Sequence, residues 1–184
     1  MSEIIRTFPA KNIRTERTRT LPIIGEIHHF IHVGAVFDLS AKFTLPASGT
    51  VYFVGVPNGG SVHFHKEEYT GSTGGFEVRL FEGVSFTGGT PAEGKNRNRK
   101  INNPSAFELY TAPATVDKSE AEELYVIGVP TTSQPAFRAP GTGAETDEWI
   151  LKEETPYAIE FTNLTANPIT MYVEFSWYET ALLT

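Results

Sequence analysis

The chain has 184 residues, enough for one domain of ordinary size with a buried core, and it contains no cysteine. The lack of cysteine excludes disulfides, thiolate metal sites and a cysteine nucleophile, and no run of about 18 apolar residues predicts a membrane span. The formal net charge is −7, and 16 glycines, 12 prolines and 13 phenylalanines favour short strands and tight turns over helices.

Positive charge is concentrated in two short segments. The first segment, residues 1–20, contains Arg6, Lys11, Arg14, Arg17 and Arg19. The second, the stretch KNRNRK, contains Lys95, Arg97, Arg99 and Lys100. Elsewhere six cations face 20 carboxylates, a net charge of −14. The sequence therefore predicts an acidic body with two basic segments.

Residues 1–20 show no hydrophobic period, and the threonines and arginines of RTERTRT offer little apolar surface to bury. We predict an extended basic arm that a partner orders, followed by a single β-domain over 21–184. The N-terminus also lacks the apolar region of a secretory signal peptide, so we expect a soluble protein made in the cytoplasm.

From residue 26 onward, apolar and polar residues alternate with the period of two that a half-buried strand requires. Nine stretches follow this pattern: 26–39, 41–47, 50–56, 61–68, 76–83, 106–112, 123–129, 157–164 and 169–179. Turn signals rich in glycine, proline and asparagine separate them. The pair around PNGG, at 57–60, predicts a β-hairpin because Asn58 and Gly59 can adopt positive φ.

Two stretches have the pattern of short helices, KSEAEEL at 118–124 and TDEWILKEE at 146–154. The KNRNRK stretch lies between predicted strands in a connection of about 15 residues, a length typical of functional or disordered loops. Many strands with at most two helical turns predict an all-β fold, an antiparallel β-sandwich or jelly roll with an extended N-terminal arm.

All five histidines lie between residues 28 and 65, so a metal site would have to form there. On a strand, His28 and His32 would share one face, as would His63 and His65. The stretch HFHKEE is similar to the first metal motif of cupins, which implies ligation by His63, His65 and Glu68. A proline stands where cupins have a glycine, and no histidine follows residue 65. We expect surface or interface histidines and no cofactor, with a cupin-like metal-binding protein as an alternative.

Other catalytic patterns are missing from the sequence. There is no GxSxG, GxxxxGK[ST] or GxGxxG motif. Adjacent acidic pairs such as Glu122 and Glu123 would point to opposite faces of a strand and make poor acid–base pairs. We therefore expect a protein that is not an enzyme.

The KNRNRK stretch admits three interpretations. Its cations could contact phosphates, but an acidic body opposes each contact, and nucleic-acid proteins usually have a broad positive face. The stretch could also be a solvated flexible loop. We favour a third role, in which Arg97 and Arg99 fork onto carboxylates or carbonyls of a neighbouring subunit.

Motifs spread over residues 76–179 carry a resemblance to a known group of proteins. They are Glu82-Gly83, Gly88-Gly89-Thr90-Pro91, Asn96-Arg97-Asn98-Arg99, Glu148-Trp149-Ile150-Leu151-Lys152, Tyr157, Thr162-Asn163 and Trp177-Tyr178-Glu179. The pattern resembles virion proteins of tailed bacteriophages, with Glu153 and Glu154 in place of the usual proline and asparagine. The resemblance implies a structural virion protein, most simply a capsid decoration or cement protein that binds the outer shell and stabilises the head.

The expected partners follow from the same resemblance. They are the major capsid protein and further copies of the chain, in a homo-oligomer such as a trimer, with no nucleic acid and no membrane. The protein would be made in the host cytoplasm and located on the surface of the phage head. An alternative is a head-fibre, tail or baseplate component that binds host glycans through aromatics such as Tyr69, Trp149 and Trp177.

Overall fold

The computed structural model of the chain describes residues 26–71, 75–130, 136–138 and 148–180. Within these ranges a single helix, α1 (Glu26–His32), precedes the strands. The strands are β1 (Val36–Leu45), β2 (Thr50–Pro57), β3 (Val62–Gly71), β4 (Phe76–Glu82), β5 (Ser85–Thr87), β6 (Thr90–Ala92), β7 (Lys95–Asn96), β8 (Phe107–Thr111), β9 (Thr115–Asp117), β10 (Glu122–Val129), β11 (Ala136–Arg138), β12 (Trp149–Leu151), β13 (Tyr157–Asn163) and β14 (Ile169–Glu179). The predicted arm lies outside the described residues.

Two antiparallel sheets form the body of the protein. Sheet A has the order β11-β3-β14-β1-β7, with β12 also paired to β3, and sheet B has the order β10-β4-β13-β2-β8-β6. Strands β5 and β9 form a small separate ribbon. The strand order β1-β14-β3-β12 in sheet A is matched by β2-β13-β4-β10 in sheet B, which is the arrangement of a jelly roll. The all-β sandwich predicted from the alternation is therefore confirmed.

One apolar core lies between the sheets and takes side chains from both. Its largest fully buried members include Trp177, Tyr69, Phe161 and Phe175. Phe53 of sheet B meets Phe175 of sheet A edge to face, with ring centroids 5.5 Å apart. These residues occupy alternate positions of their strands, so the pleat directs all of them inward.

The first predicted strand, 26–39, begins too early, and its separation from the second, 41–47, is wrong because β1 runs continuously from Val36 to Leu45. Residues 26–32 form the helix α1 because Ile27, Phe30 and Ile31 also have the i, i+3, i+4 spacing of a helical face. Phe30 stacks on Tyr178 of β14 with ring centroids 4.6 Å apart. The local spacing is compatible with either a helix or a strand, and this tertiary contact favours the helix.

Both predicted short helices are wrong in the parts that the structure describes. The stretch 118–124 contains a turn and the start of β10, which pairs with β4. The stretch 146–154 contains β12, which pairs with β3, while residues 146 and 147 lie outside the described ranges. Such short segments have little intrinsic helical stability, so pairing with an existing sheet edge outweighs it.

The hairpin predicted around PNGG does not form. β2 pairs with β13 and β8 in sheet B, whereas β3 pairs with β14 in sheet A. Gly59 and Gly60 do adopt positive φ, 85° and 143°, and Asn58 N donates to Ala106 O at 2.9 Å. The predicted positive φ is therefore found at Gly59 but not at Asn58, and the turn carries the chain across the sandwich instead of along one sheet.

The two sheets have differently covered outer faces. On sheet B, the buried cluster Val54, Phe81, Val84 and Ala158 lies beneath partly buried side chains of β5 and β9. On sheet A, α1 covers the end of β1 and β14 through the cluster Phe30, Ala35, Val36 and Tyr178.

Candidate functional site

The KNRNRK stretch forms a strap, defined here as residues 95–101, across the edge of sheet A. Its first part is β7, in which Asn96 pairs with Phe37 and Lys95 pairs with Asp38. Asn96 Nδ2 donates to Gly34 O at 2.7 Å, and Arg97 N donates to Val36 O at 2.9 Å. The predicted long loop is therefore partly regular and is fixed to the start of β1.

Arg97 is bound within its own chain. Its Nε donates to Asp38 Oδ2 at 2.6 Å, and its Nη2 donates to Asp38 Oδ1 at 2.8 Å and to Ser176 Oγ at 3.0 Å. The bond to Asp38 raises the pKa of the Arg97 guanidinium, and burial opposes this shift. The nitrogens Nε and Nη2 of Arg97 are thus both bound within the same chain. Arg97 therefore already has a carboxylate partner, whereas we predicted one on a neighbouring subunit.

The asparagines of the strap have structural roles. Asn98 N donates to Asn96 Oδ1 at 2.8 Å, and Lys100 N donates to Asn98 Oδ1 at 3.1 Å, as in turns closed by a side chain. Asn98 Nδ2 also donates to His32 O at 2.8 Å, which fastens the strap to the end of α1. The alternation of asparagine and arginine therefore builds the turn instead of presenting a row of phosphate contacts.

The other three cations of the strap are exposed. Lys95 Nζ lies 2.6 Å from Glu93 Oε2 in a solvent-accessible pair, which is worth little to stability. Arg99 Nη1 lies 3.4 Å from Asn96 O, and Lys100 is exposed. With Glu93, Ile101 and their neighbours they border a polar cleft of about 440 Å³. These three cations face outward, where a partner could reach them.

The remaining predicted contact residues, Arg6, Lys11, Arg14, Arg17 and Arg19, lie outside the described residues. Their role in binding a partner stays a prediction.

The histidines are engaged in local contacts. On α1, His28 Nε2 lies 2.8 Å from His32 Nε2, so these residues share a helical face and not a strand face. His63 Nδ1 lies 3.2 Å from Glu148 Oε1, and its ring stacks on Tyr178 at 4.3 Å. Within the described ranges, no three potential ligands come together to hold a metal ion. Residue 65 belongs to β3, but its side chain is not among those that the structure describes.

Several residues of the phage-like motifs contact one another. Glu82 Oε2 accepts a hydrogen bond from Tyr157 Oη at 2.8 Å and pairs with Lys152, whose backbone N donates to Tyr157 Oη at 2.8 Å. Burial raises the pKa of Tyr157 to about 12, and Glu82 adds to the shift. Glu148 Oε2 accepts from Tyr178 Oη at 2.9 Å. Motifs that are distant in the sequence thus meet in the fold.

The last of these motifs is a buried junction. Glu179 accepts hydrogen bonds from Trp177 Nε1 at 3.0 Å and from the backbone nitrogens of Ala106 and Phe107 at 2.9 and 3.2 Å. Ser105 Oγ donates to the same carboxylate at 2.5 Å. A buried carboxylate with four donors is satisfied, so this cluster holds the segment before β8 against β14 and is not a reactive site.

Two of the aromatics proposed for glycan contact are unsuitable. Tyr69 and Trp177 are fully buried, so no ligand can reach them. Trp149 is 41% exposed and lies beside Tyr125. The structure adds Tyr172, which is 49% exposed on β14 with Lys42 Nζ 5.5 Å above its ring. Its alternating position marks it as outward-facing, but only strand pairing reveals its neighbours.

Tyr172 borders an open cleft of about 370 Å³ on the outer face of sheet A. The lining side chains come from the three neighbouring strands β1, β3 and β14, and include Ser40, Lys42, Glu68, Thr70 and Glu174. The cleft therefore combines hydroxyl, carboxylate and ammonium groups with one aromatic ring.

Comparison with known proteins gives no family for the chain. No protein-family model matches it, and a search of curated proteins finds no significant match. Among the described residues, no helix has the length and apolar character needed to span a membrane. The structure itself defines the class of protein: an antiparallel β-sandwich with jelly-roll strand order.

Proposed function

We propose that this chain is a structural virion protein of a tailed bacteriophage, a capsid decoration or cement protein that binds the outer shell and stabilises the head. The observation that carries the proposal is that the phage-like motifs meet in three dimensions. Glu82 contacts Lys152 and Tyr157, and Glu148 contacts Tyr178. These contacts bring segments that are distant in the sequence into one packed unit, and this supports the proposal.

The architecture supports a role in assembly. Jelly rolls are frequent in viral capsid proteins. The space between the sheets beside Gly55 is only about 10 Å³, far below the volume of a small-molecule site. A filled core suits a protein that acts through its surface, and on this proposal the chain is not an enzyme.

The proposed contacts with the shell are electrostatic in part. Lys95, Arg99 and Lys100 project from the strap, and they would meet carboxylates or carbonyls of the major capsid protein or of another copy. Each added interface raises the free energy needed to separate shell subunits under the outward pressure of packaged DNA.

Binding to phage heads that lack the protein tests the proposal. The wild-type chain should bind such heads, and replacing Lys95, Arg99 and Lys100 together by alanine should weaken binding while leaving the melting temperature nearly unchanged. A matched control, Lys95→Arg with Arg99→Lys and Lys100→Arg, keeps the charge and should bind like the wild type. Failure of the wild-type chain to bind any head preparation would remove the proposal.

A head-fibre, tail or baseplate component that binds host glycans is the second candidate. It is favoured by the exposed ring of Tyr172 in a cleft with hydroxyl and carboxylate groups, a combination common in small-ligand sites. Tyr172→Ala should abolish binding on a glycan array, whereas Tyr172→Phe should keep most of it. Absence of glycan binding by the wild type would exclude this candidate, and labelling the protein in intact virions would separate shell from tail.

A further inference from the structure

In the part of the chain that the structure describes, strand β1 has an open edge along more than half of its length. On one side it pairs with β14 from Val36 to Leu45, but on the other side β7 covers only Phe37 and Asp38. Among the residues that the structure describes, no strand pairs with residues 39–45 on that second side. An open edge of this kind is a template for another strand.

Two hydrogen bonds identify which backbone groups face the open side. Glu179 N donates to Ala35 O at 2.9 Å, so odd-numbered positions of this segment bond toward β14. Arg97 N donates to Val36 O at 2.9 Å, so even-numbered positions bond toward the strap. Because the direction alternates along an antiparallel ladder, the N–H and C=O groups of Ser40, Lys42 and Thr44 point to the open side.

The same three residues have exposed side chains on the outer face of sheet A. Ser40 and Lys42 also line the cleft that contains Glu68, Tyr172 and Glu174. A strand added beside β1 would therefore extend the hydrogen-bond ladder, with Glu174 two strands away on β14 and Glu68 three strands away on β3.

We propose that residues 1–20 of a neighbouring copy of the chain occupy this edge as an added strand. The inference rests on the proposed function, in which copies of the chain associate on the shell, and it names the segments that join them. Backbone hydrogen bonds would supply the affinity, as in other cases of strand addition.

Charge favours this occupant. The described residues contain 10 cations and 18 carboxylates, a net charge of −8, while residues 1–20 have a net charge of +3. Five of the described cations already form ion pairs with carboxylates: Arg79, Lys95, Arg97, Lys118 and Lys152. The basic arm is therefore attracted to a surface with surplus negative charge.

The length of the arm fits the open edge. The edge spans seven residues, or about 23 Å at the rise of a strand, whereas 20 extended residues span up to about 66 Å. About a third of the arm can pair while the rest crosses between copies.

The strap explains why the arm comes from a neighbour. The strap packs against the connection between α1 and β1. Its Ile101 lies so close to Gly34 that a Cβ placed on Gly34 would be 2.8 Å from Ile101 Cγ2. The side chain of Asn98 also donates a hydrogen bond to His32 O. Within one copy the strap thus lies between the C-terminal end of α1 and the open edge of β1, and this favours an arm supplied by another copy.

A proline substitution tests the edge. Ser40→Pro removes an N–H that faces the open side and leaves the ladder to β14 intact, so it should weaken self-association in sedimentation equilibrium by roughly fivefold or more. Ser40→Ala is the matched control and should associate like the wild type. Deletion of residues 1–20 should reduce association at least as strongly. Unchanged association in both the proline variant and the deletion overturns the inference.

Because the chain has no cysteine, a disulfide test identifies the occupant directly. Thr18→Cys and Thr44→Cys protomers, mixed and oxidised, should form a covalent heterodimer. Thr90→Cys, at the edge of sheet B, replaces Thr44→Cys in the control and should not cross-link. An internal disulfide in the doubly substituted chain without heterodimers would show that the arm binds its own copy and would overturn the proposal.

These experiments do not use phage heads, so they test the exchange of arms independently of the decoration role. Cross-linking without head binding contradicts the decoration role, whereas head binding without cross-linking contradicts the exchange of arms.

Discussion

The outer faces of the two sheets differ in how much of the chain covers them. On sheet B, β5, β9 and the turn at Lys118 cover Val54, Phe81 and Ala158. On sheet A, α1 and the strap cover one end, and Lys42 and Tyr172 lie exposed beyond it. The described residues therefore cover more of the outer face of sheet B than of sheet A, and both proposals concern sheet A and its edge.

The charged groups follow the same difference. On sheet B, Glu160 is 6% exposed, accepts from Tyr52 Oη at 2.6 Å and pairs with Lys118. Burial, reinforced by the bond to Glu160, raises the pKa of Tyr52. On sheet A, the pair of Arg97 with Asp38 is only partly buried. Loss of a charge should therefore cost more stability on sheet B than on sheet A.

Substitutions in the core between the sheets should cost the most stability, and the effects on the two outer faces can be compared with them. Trp177→Ala should lower the free energy of unfolding by about 3–5 kcal/mol, because the indole is fully buried against Phe37 and Phe107. Trp149→Ala, at an exposed tryptophan, is the control and should cost roughly 1 kcal/mol or less. Urea denaturation measures both, and similar losses would contradict the burial of Trp177.

The covered face is tested by Lys118→Ala. This change leaves the carboxylate of Glu160 buried without its cation and removes the ammonium group that lies 4.6 Å from the ring centroid of Phe81. We expect a loss of about 2 kcal/mol. Lys42→Ala on the open face should change stability by no more than about 0.5 kcal/mol. Equal losses in the free energy of unfolding from the two substitutions would contradict the proposed difference between the two outer faces.

The strap is tested by Arg97→Ala, which should cost about 1–2 kcal/mol because a two-pronged charged hydrogen bond is lost while Asp38 stays partly buried. Arg97→Lys should recover less than half of this loss, since an ammonium group cannot reproduce the fork. Full recovery of stability in the lysine variant would show that the two parallel hydrogen bonds of the guanidinium group add nothing beyond the positive charge.

Alkaline pH should weaken sheet B through Tyr157. Its pKa is raised to about 12 in the folded protein and is about 10 when unfolded, so the folded state retains the phenolic proton over this window. The stabilisation is complete below about pH 10 and is lost as the pH rises toward 12, with a slope of up to about 1.4 kcal/mol per pH unit. Tyr157→Phe should flatten this dependence in urea denaturation. An unaltered slope would contradict the assignment.

Much of the fold could be read from local pattern. Alternation marked β2, β4, β8 and β13 close to their observed bounds, because a sandwich strand buries every second side chain. The pattern did not show β5, β6 or β9, which have three residues each and are too short for a period to appear. It also misread Ile27 to Ile31, whose spacing fits a strand or a helix.

The candidate site was less predictable. The sequence singled out Arg97 and indicated a fork onto a carboxylate, but the partner, Asp38, lies 59 positions away and on another strand. The glycan-binding alternative required Tyr69 and Trp177 to be exposed like Trp149, although both are fully buried. Tyr172 was not singled out, since its cleft depends on three strands that are distant in the chain.

The amino-acid sequence by itself determined the all-β class, the positions of most of the longer strands and the separation of an acidic body from two basic segments. These properties depend on residues close in the chain, through the strand period and simple charge counts. Only the tertiary structure decided that the PNGG turn crosses between sheets, that Arg97 binds Asp38 and that, among the described residues, no strand covers most of one edge of β1. Each depends on which strands become neighbours, and burial of the whole core selects that arrangement.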